Sequence, residues 1–280
     1  MTQESATEAA ARALGASGAP EGERPVLEIE NHGRVRLLRL NRPDVRNALS
    51  GELNDALTEA IIDADHDPDV YVIAITGTGT SFCSGADLKD ARTLADQGRP
   101  FLGPLHTNRR SLFEVLIDTR KPTVAVVNGP AVAGGFELAL ACDMRLAAPG
   151  AFFAVPEAKR GRGAHFASVM LPVTVPPGIA MEWLYTGRRI PLAEAERWGL
   201  VNAVLPGEQV ADEALDWLGD VVSSAPLSLQ RLKLTYRKTA GMSPHTAIRL
   251  DAGPDVYLSE DQKEGARAFL ERREPRWQGR

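Results

Sequence analysis

Residues 123–143 read TVAVVNGPAVAGGFELALACD, and the order of residue types in this stretch decides the fold class. The first five residues are β-branched or small and mostly apolar, with no alternation, which is the pattern of a strand buried on both faces. Asn128-Gly129-Pro130 breaks that strand. Gly134-Gly135 then opens a segment, residues 137–143, of helical composition. A buried strand that passes through a glycine-containing loop into a helix is a building unit of α/β proteins with parallel sheets. A related unit stands upstream, where the apolar run VYVIAIT at residues 70–76 leads into the loop Ser81-Phe82-Cys83-Ser84-Gly85-Ala86-Asp87-Leu88-Lys89.

Working outward, residues 26–30 and 35–40 read as strands with a turn at residues 31–33. Ser50 is placed to cap a helix running to about residue 65, with Leu53, Leu57 and Ile61 on one face and Asp67-Pro68 as its stop. A further helix is expected near residues 108–118. Beyond that core the character changes, with helices expected near 178–186, 192–199, 208–223, 226–239, 244–257 and 259–272. The organisation read from the sequence is a flexible tail over residues 1–24, rich in Ala, Gly, Ser and Glu, an α/β core over 25–200, and a helical region over 201–280. No internal repeat or low-complexity linker interrupts it.

Composition narrows the function classes. The 280 residues are 44% hydrophobic and 25% charged, which fits a globular protein and excludes a fibrous or mostly disordered one. The net charge of −5 argues against general nucleic-acid binding, which leaves a basic footprint. No apolar run approaches the ~18 residues of a membrane helix. The N-terminal residues, with Glu4 and Glu8, do not read as a signal peptide. Cys83 and Cys142 lack partners at metal-ligand spacing and read as two reduced thiols of a cytoplasmic protein.

The two loops carry the candidate chemistry. Small residues let a ligand approach the main chain, and N–H groups at a helix start favour negative charge. Two such crossings can aim two N–H groups at one oxygen, the requirement of an oxyanion hole. On spacing alone the same loops also fit a purely structural role.

Six pieces of the chain, taken in order, resemble the crotonase (enoyl-CoA hydratase/isomerase) superfamily over about residues 26–277. They are Leu40-Asn41-Arg42-Pro43 with Asn47-Ala48-Leu49, then Phe82-Cys83-Ser84-Gly85-Ala86-Asp87-Leu88-Lys89, then Lys121-Pro122 through Asn128-Gly129 to Gly134-Gly135-Phe136-Glu137, then Pro156-Glu157, then Trp198-Gly199-Leu200-Val201-Asn202, and finally residues 259–265 with Ala268-Phe269. The resemblance implies an α/β core of repeated ββα turns wound into a superhelix, with a C-terminal helical region that supports trimerisation, as a homotrimer or a dimer of trimers. It implies an acyl-CoA thioester as ligand, with CoA arriving as part of the substrate and no metal or redox cofactor. The main-chain N–H groups of Ala86 and Gly134 are then the oxyanion-hole donors. Arg46, Ala48, Ser84, Ala86, Asp87, Leu88, Lys89 and Gly134 line the CoA site, with Lys263 and Arg273 as more distant cations.

Glu137 and Glu157 match the positions of the two catalytic carboxylates of the family's hydratases, and the pair favours hydration of a 2-enoyl-CoA to a 3-hydroxyacyl-CoA. Two neighbouring acids resist ionising together, which would hold one proton at neutral pH. Taken singly, Glu137 also fits a first-turn acid facing the helix dipole, and Glu157 a loop residue after proline. The alternatives are an enoyl-CoA isomerase or another crotonase-type lyase or hydrolase, and, in a different class, a catalytically silent acyl-CoA binding protein. Residues 158–166 (AKRGRGAHF) depart from the pattern many family hydratases carry there, so the acyl pocket is expected to differ in shape, with His165 either near the ligand or held locally. Arg109-Arg110 and Lys159-Arg160 read as solvated faces. Residues 91–107 read as a loop over the acyl site.

Overall fold

The computed structural model describes residues 24–98, 110–207 and 209–280. Strands β1 (Leu27–His32) and β2 (Val35–Leu40) form an antiparallel hairpin with Leu27 opposite Leu40. β1 runs through His32, so the turn falls at Gly33-Arg34 rather than at residues 31–33, with Gly33 at φ 60°. β3 (Val72–Gly77), β4 (Thr123–Val127), β6 (Met144–Ala147) and β9 (Ala203–Val204) then add in parallel, giving the order β1-β2-β3-β4-β6-β9. The last of these lies past residue 200, so the sheet reaches into the region expected to be wholly helical. A smaller sheet joins β5 (Ala131–Val132), β7 (Phe152–Ala154) and β8 (Arg189–Pro191).

β3 and β4 are buried at every position. Their alternate side chains feed two cores, as the period of two in a strand requires. Ile73, Ile75, Ala125 and Val127 face one, while Val72, Ala74, Val124 and Val126 face the other. Helix α1 (Gly51–His66) covers the first face with Leu53, Leu57, Ala60, Ile61 and Ala64. The Ser50 hydroxyl accepts the Leu53 N–H at 3.2 Å, which is the cap its sequence position predicts. Residues Leu88–Asp96 form α2, and Leu112–Asp118 form α3, which opens with a capping box between Ser111 and Glu114. α4 (Gly134–Ala141) is the buried helix of the opening sequence stretch. The loop expected over residues 91–107 is therefore helical in its first part, and residues 99–107 lie outside the described ones, as does most of the N-terminal tail.

The C-terminal half comprises α5 (His165–Thr174), α6 (Pro177–Thr186), α7 (Leu192–Arg197), α8 (Val210–Trp217), α9 (Gly219–Val222), α10 (Pro226–Thr239), α11 (Pro244–Ala247) and α12 (Glu260–Glu271). The helix expected over 244–257 ends at Ala247, and further on Gly253 at φ 91° and the Pro254 that follows it bar any helix running through to 257. α10 is fastened to the far end of α4. The Asp143 carboxylate accepts the Thr123 N–H at 2.8 Å and pairs with Lys233 at 2.7 Å and Arg237 at 2.9 Å. The outer side of this region exposes Leu232, Tyr236, Ile248, Tyr257, Leu258, Phe269 and Leu270. Among the described residues no helix is long and apolar enough to cross a membrane.

Candidate active site

The two glycine-containing loops lie side by side. Leu49 and Ala86 form an isolated parallel bridge, in which the Leu49 N–H donates to the Gly85 carbonyl at 2.8 Å and the Asp87 N–H to the Leu49 carbonyl at 3.0 Å. The residue between those two bonds turns its own N–H away from the bridge partner. A second bridge joins Cys83 to Ala131, with the Val132 N–H on the Cys83 carbonyl at 3.0 Å. Together the bridges bring the Ala86 and Gly134 nitrogens close. A Cβ placed on Gly85 would stand 3.0 Å from the Gly134 nitrogen, and one placed on Gly134 would stand 3.7 Å from the Ala86 nitrogen.

Gly134 is the first residue of α4, so its N–H has no acceptor inside the helix. Its direction is set by Ala133, which stands at φ 55° and ψ −128°. For a residue with a Cβ this conformation costs of order 1–3 kcal/mol and persists only where neighbours enforce it. The Ala133 N–H donates to Ala154, and its carbonyl accepts from Phe136 and Glu137.

Glu137 sits in the first turn of α4, but its carboxylate turns to another helix. Oε1 accepts the Ala167 N–H at 3.0 Å, at the start of α5, where no side chain of α5 itself caps the helix. Burial pushes its carboxyl up to about 7; the α5 N–H groups oppose the shift, and the Glu157 charge adds to it. The repulsion expected from the sequence is thus felt at Glu137, secondary to burial. Glu157 lies on the 3-10 turn Pro156–Arg160, and burial also raises its carboxyl, against the pull of Arg160 and Arg162. Its Oε2 is buried without a hydrogen-bond partner. The structure therefore brings together two sheltered carboxyls that lie twenty positions apart in sequence. Of the two, Glu137, at about 7, can take and release a proton near neutral pH.

The remaining candidates lie along the Ala86 loop and the segment of residues 45–49 hydrogen-bonded to it. Ser84 donates its N–H to the Arg46 carbonyl at 3.0 Å and its hydroxyl to Val45 at 3.3 Å. Ala48 is buried, and its carbonyl accepts from Arg42 at 2.6 Å. Asp87 turns inward to pair with Arg42 at 3.0 Å and accepts the Lys89 and Asp90 N–H groups at the start of α2, which holds its carboxyl below the ordinary carboxylate range. Arg46, Ala86, Leu88 and Lys89 are exposed.

The two distant cations are engaged elsewhere, Lys263 with Glu260 and Arg273 with Glu264 and Glu271. His165 is exposed in the first turn of α5, next to the residues that hold Glu137. Lys159 and Arg160 are exposed, and Arg110 pairs with Asp118, as solvated faces do; Arg109 lies outside the described residues. Cys83 and Cys142 are buried free thiols, each pushed up to about 12 by burial. Among the described residues no three His, Cys, Asp or Glu side chains converge as a metal site would require.

The profile of the family described as enoyl-CoA hydratase/isomerase matches residues 30–280. The chain belongs to the enoyl-CoA hydratase/isomerase family. Among sequence relatives of this family, the carnitinyl-CoA dehydratase of Salmonella paratyphi A is 40% identical over 262 residues, covering 91% of this chain and 98% of that protein. Among solved structures, the enoyl-CoA hydratase of Mycobacterium tuberculosis H37Rv superposes with a TM-score of 0.82 at 34% identity, over 92% of this chain and all of that one. The enoyl-CoA hydratase of Bacillus anthracis superposes at 0.81 with 28% identity, over 91% of this chain. The crotonase fold expected from the motifs, with its C-terminal helices, is the fold of this enoyl-CoA hydratase/isomerase family member.

Three features of the site escaped sequence reading. Arg42 entered only as part of a motif, although the pairing of that motif with Asp87 in the next one was a usable signal. The α5 start that holds Glu137 lies thirty positions downstream, and Ala133 carries no local mark of its positive φ.

Proposed function

We propose that the protein is an enoyl-CoA hydratase, which adds water syn across the double bond of a 2-enoyl-CoA to give a 3-hydroxyacyl-CoA and catalyses the reverse dehydration. The observations that carry this reading are the two half-buried carboxyls with raised proton affinity, Glu137 and Glu157, and the adjacent Ala86 and Gly134 N–H groups. The thioester oxygen sits between the two N–H groups, which stabilise the negative charge of the enolate; each donor is worth about 2.7–4 kcal/mol of barrier. Water bonds to C3 as one carboxylate takes its proton, and the other carboxyl, protonated, delivers a proton to C2. Both carboxyls act from one face, so the addition is syn. With Glu137 at about 7, its two protonation states are both available near neutral pH.

CoA enters as part of the substrate, held by Arg46, Ala48, Ser84 and residues 86–89, and the reaction asks for no metal or redox cofactor. The name of the 40% relative, a dehydratase, describes the same chemistry in the other direction. The exposed apolar side chains of α10, α12 and the segment between them support assembly as a homotrimer or a dimer of trimers. The buried free thiols support a cytoplasmic setting.

The test is incubation of the protein with a panel of 2-enoyl-CoA esters, short to long, following loss of the enoyl-thioester absorbance and identifying the product. Formation of 3-hydroxyacyl-CoA is the expected result. A shifted double bond or a free acid with no hydroxyacyl product would replace hydration with isomerisation or hydrolysis, and bound but unchanged esters would leave a binding protein.

A further inference from the structure

Behind the Ala86 N–H runs a line of hydrogen bonds that starts on a cation. Arg42 donates through Nη1 to the Ala48 carbonyl at 2.6 Å. The peptide unit of that carbonyl carries the Leu49 N–H, which donates to the Gly85 carbonyl at 2.8 Å. The peptide unit of Gly85 carries the Ala86 N–H. In a trans peptide the carbonyl and the N–H point in opposite directions, so gripping each carbonyl sets the direction of the N–H on its far side.

We infer that Arg42 is a positioning residue for the thioester oxygen, aiming and polarising the Ala86 N–H through two peptide units in series. This rests on the reading of Ala86 as an oxyanion donor. Hydrogen bonds in a chain polarise one another, and a positive charge at the head of the chain favours negative charge at its tail. The root of Arg42 is itself fixed, because its N–H donates to Asn47 Oδ1 at 2.9 Å and its carbonyl accepts the Asn47 N–H at 2.8 Å. The Asn47 amide in turn donates to the carbonyls of Thr78 at 2.9 Å and Ser81 at 2.8 Å, behind the second loop.

Asp87 holds the same Nη1 from the other side, with the two side chains only 23% and 11% exposed. Asp87 is the residue that follows Ala86, and its own N–H is the second half of the Leu49 bridge. Thus both peptide units that flank the Ala86 α-carbon are anchored on Leu49, and Arg42 bonds both the peptide unit that carries the Leu49 N–H and the Asp87 side chain. The peptide unit that carries the Gly134 N–H is instead held by the Phe136 and Glu137 N–H groups on the Ala133 carbonyl.

The test uses Arg42→Met and Arg42→Lys, each with a saturated acyl-CoA carrying a 13C-labelled thioester carbonyl. Difference infrared spectra of the bound ester read how strongly the carbonyl is polarised, and kcat and KM are measured on an enoyl-CoA turned over by the wild type. In Arg42→Met the carbonyl shift shrinks and kcat falls about tenfold or more, with KM little changed, since one donor of the pair is misaimed but present. Arg42→Lys, which keeps the charge and a donor, retains most of the shift. An Arg42→Met protein with the full wild-type shift, or one that loses affinity while kcat holds, overturns the proposal. Should the methionine variant fail to fold, an Arg42→Lys protein whose shift collapses overturns it equally. A wild-type complex with no shift at all overturns the reading of Ala86 as a donor, and this one with it.

Discussion

The N–H of Ala86 is held from outside its loop, by Leu49 across a bridge and by Arg42 behind Leu49, whereas that of Gly134 is held from within, by the start of α4 and the strained Ala133 before it. The first arrangement depends on side chains and turns spread over residues 42–90. The second depends on side chains being absent. A Cβ on Gly135 would meet the Cys83 carbonyl oxygen at 2.2 Å, while one on Gly134 meets only ordinary contacts at 3.6–3.7 Å. Two adjacent glycines therefore do different work. Gly135 lets the two loops touch, and Gly134 leaves room in front of them.

The sharpest way to break the comparison is Gly135→Ala. The methyl meets main chain that cannot move aside, so the loops separate, and loss of soluble protein or a fall in Tm of roughly 10 °C is expected. A variant that stays folded, with Tm unchanged, would mean that the loops are not in contact at this point.

Next comes Glu137→Gln, which removes a proton carrier while Oε1 can still accept the Ala167 N–H. Turnover is expected to fall about 10²–10⁴-fold with the fold intact. The same variant has a stability signature. The folded carboxyl titrates at about 7 against an ordinary 4.5, so between those values the folded chain keeps a proton that the unfolded chain has released. Stability of the wild type falls as pH rises through that window and levels off above it. Unfolding measured against pH should show Glu137→Gln gaining on the wild type by about 3 kcal/mol above neutrality, with the gain vanishing near the ordinary carboxylate value. Parallel curves would mean that the Glu137 carboxyl is not raised in the folded chain.

The smallest effect is that of Gly134→Ala. It folds, because its contacts are ordinary, but its methyl stands 3.7 Å from the Ala86 nitrogen, in the space proposed for the thioester oxygen. A fall of about tenfold in kcat/KM is expected. Unchanged kinetics would put the oxygen elsewhere.

The sheet was legible because strands covered on both sides are largely apolar without alternation, and residues 72–77 and 123–127 are buried throughout. The cap at Ser50 was legible because its partner is three residues away. Glu137 and Glu157 were found through resemblance alone, since nothing local shows that β6 and β7 carry the chain back to bring them together. The turn at Arg46 and Asn47, both at φ 55°, has no glycine to announce it. Residues 248–258 have a helix-like mixture of apolar and charged residues, and the backbone at Gly253 overrides it.

The N–H groups proposed as paired donors, at residues 86 and 134, belong to the main chain, and this has a consequence for inheritance. A point mutation can delete a catalytic carboxyl in one step, but short of proline no substitution deletes a peptide N–H. The ability to hold a developing negative charge is therefore encoded redundantly, in backbone path rather than in residue identity. Drift in such a lineage falls first on side chains such as the two acids. Descendants of one ancestor can then change the reaction they complete while inheriting its first half unaltered.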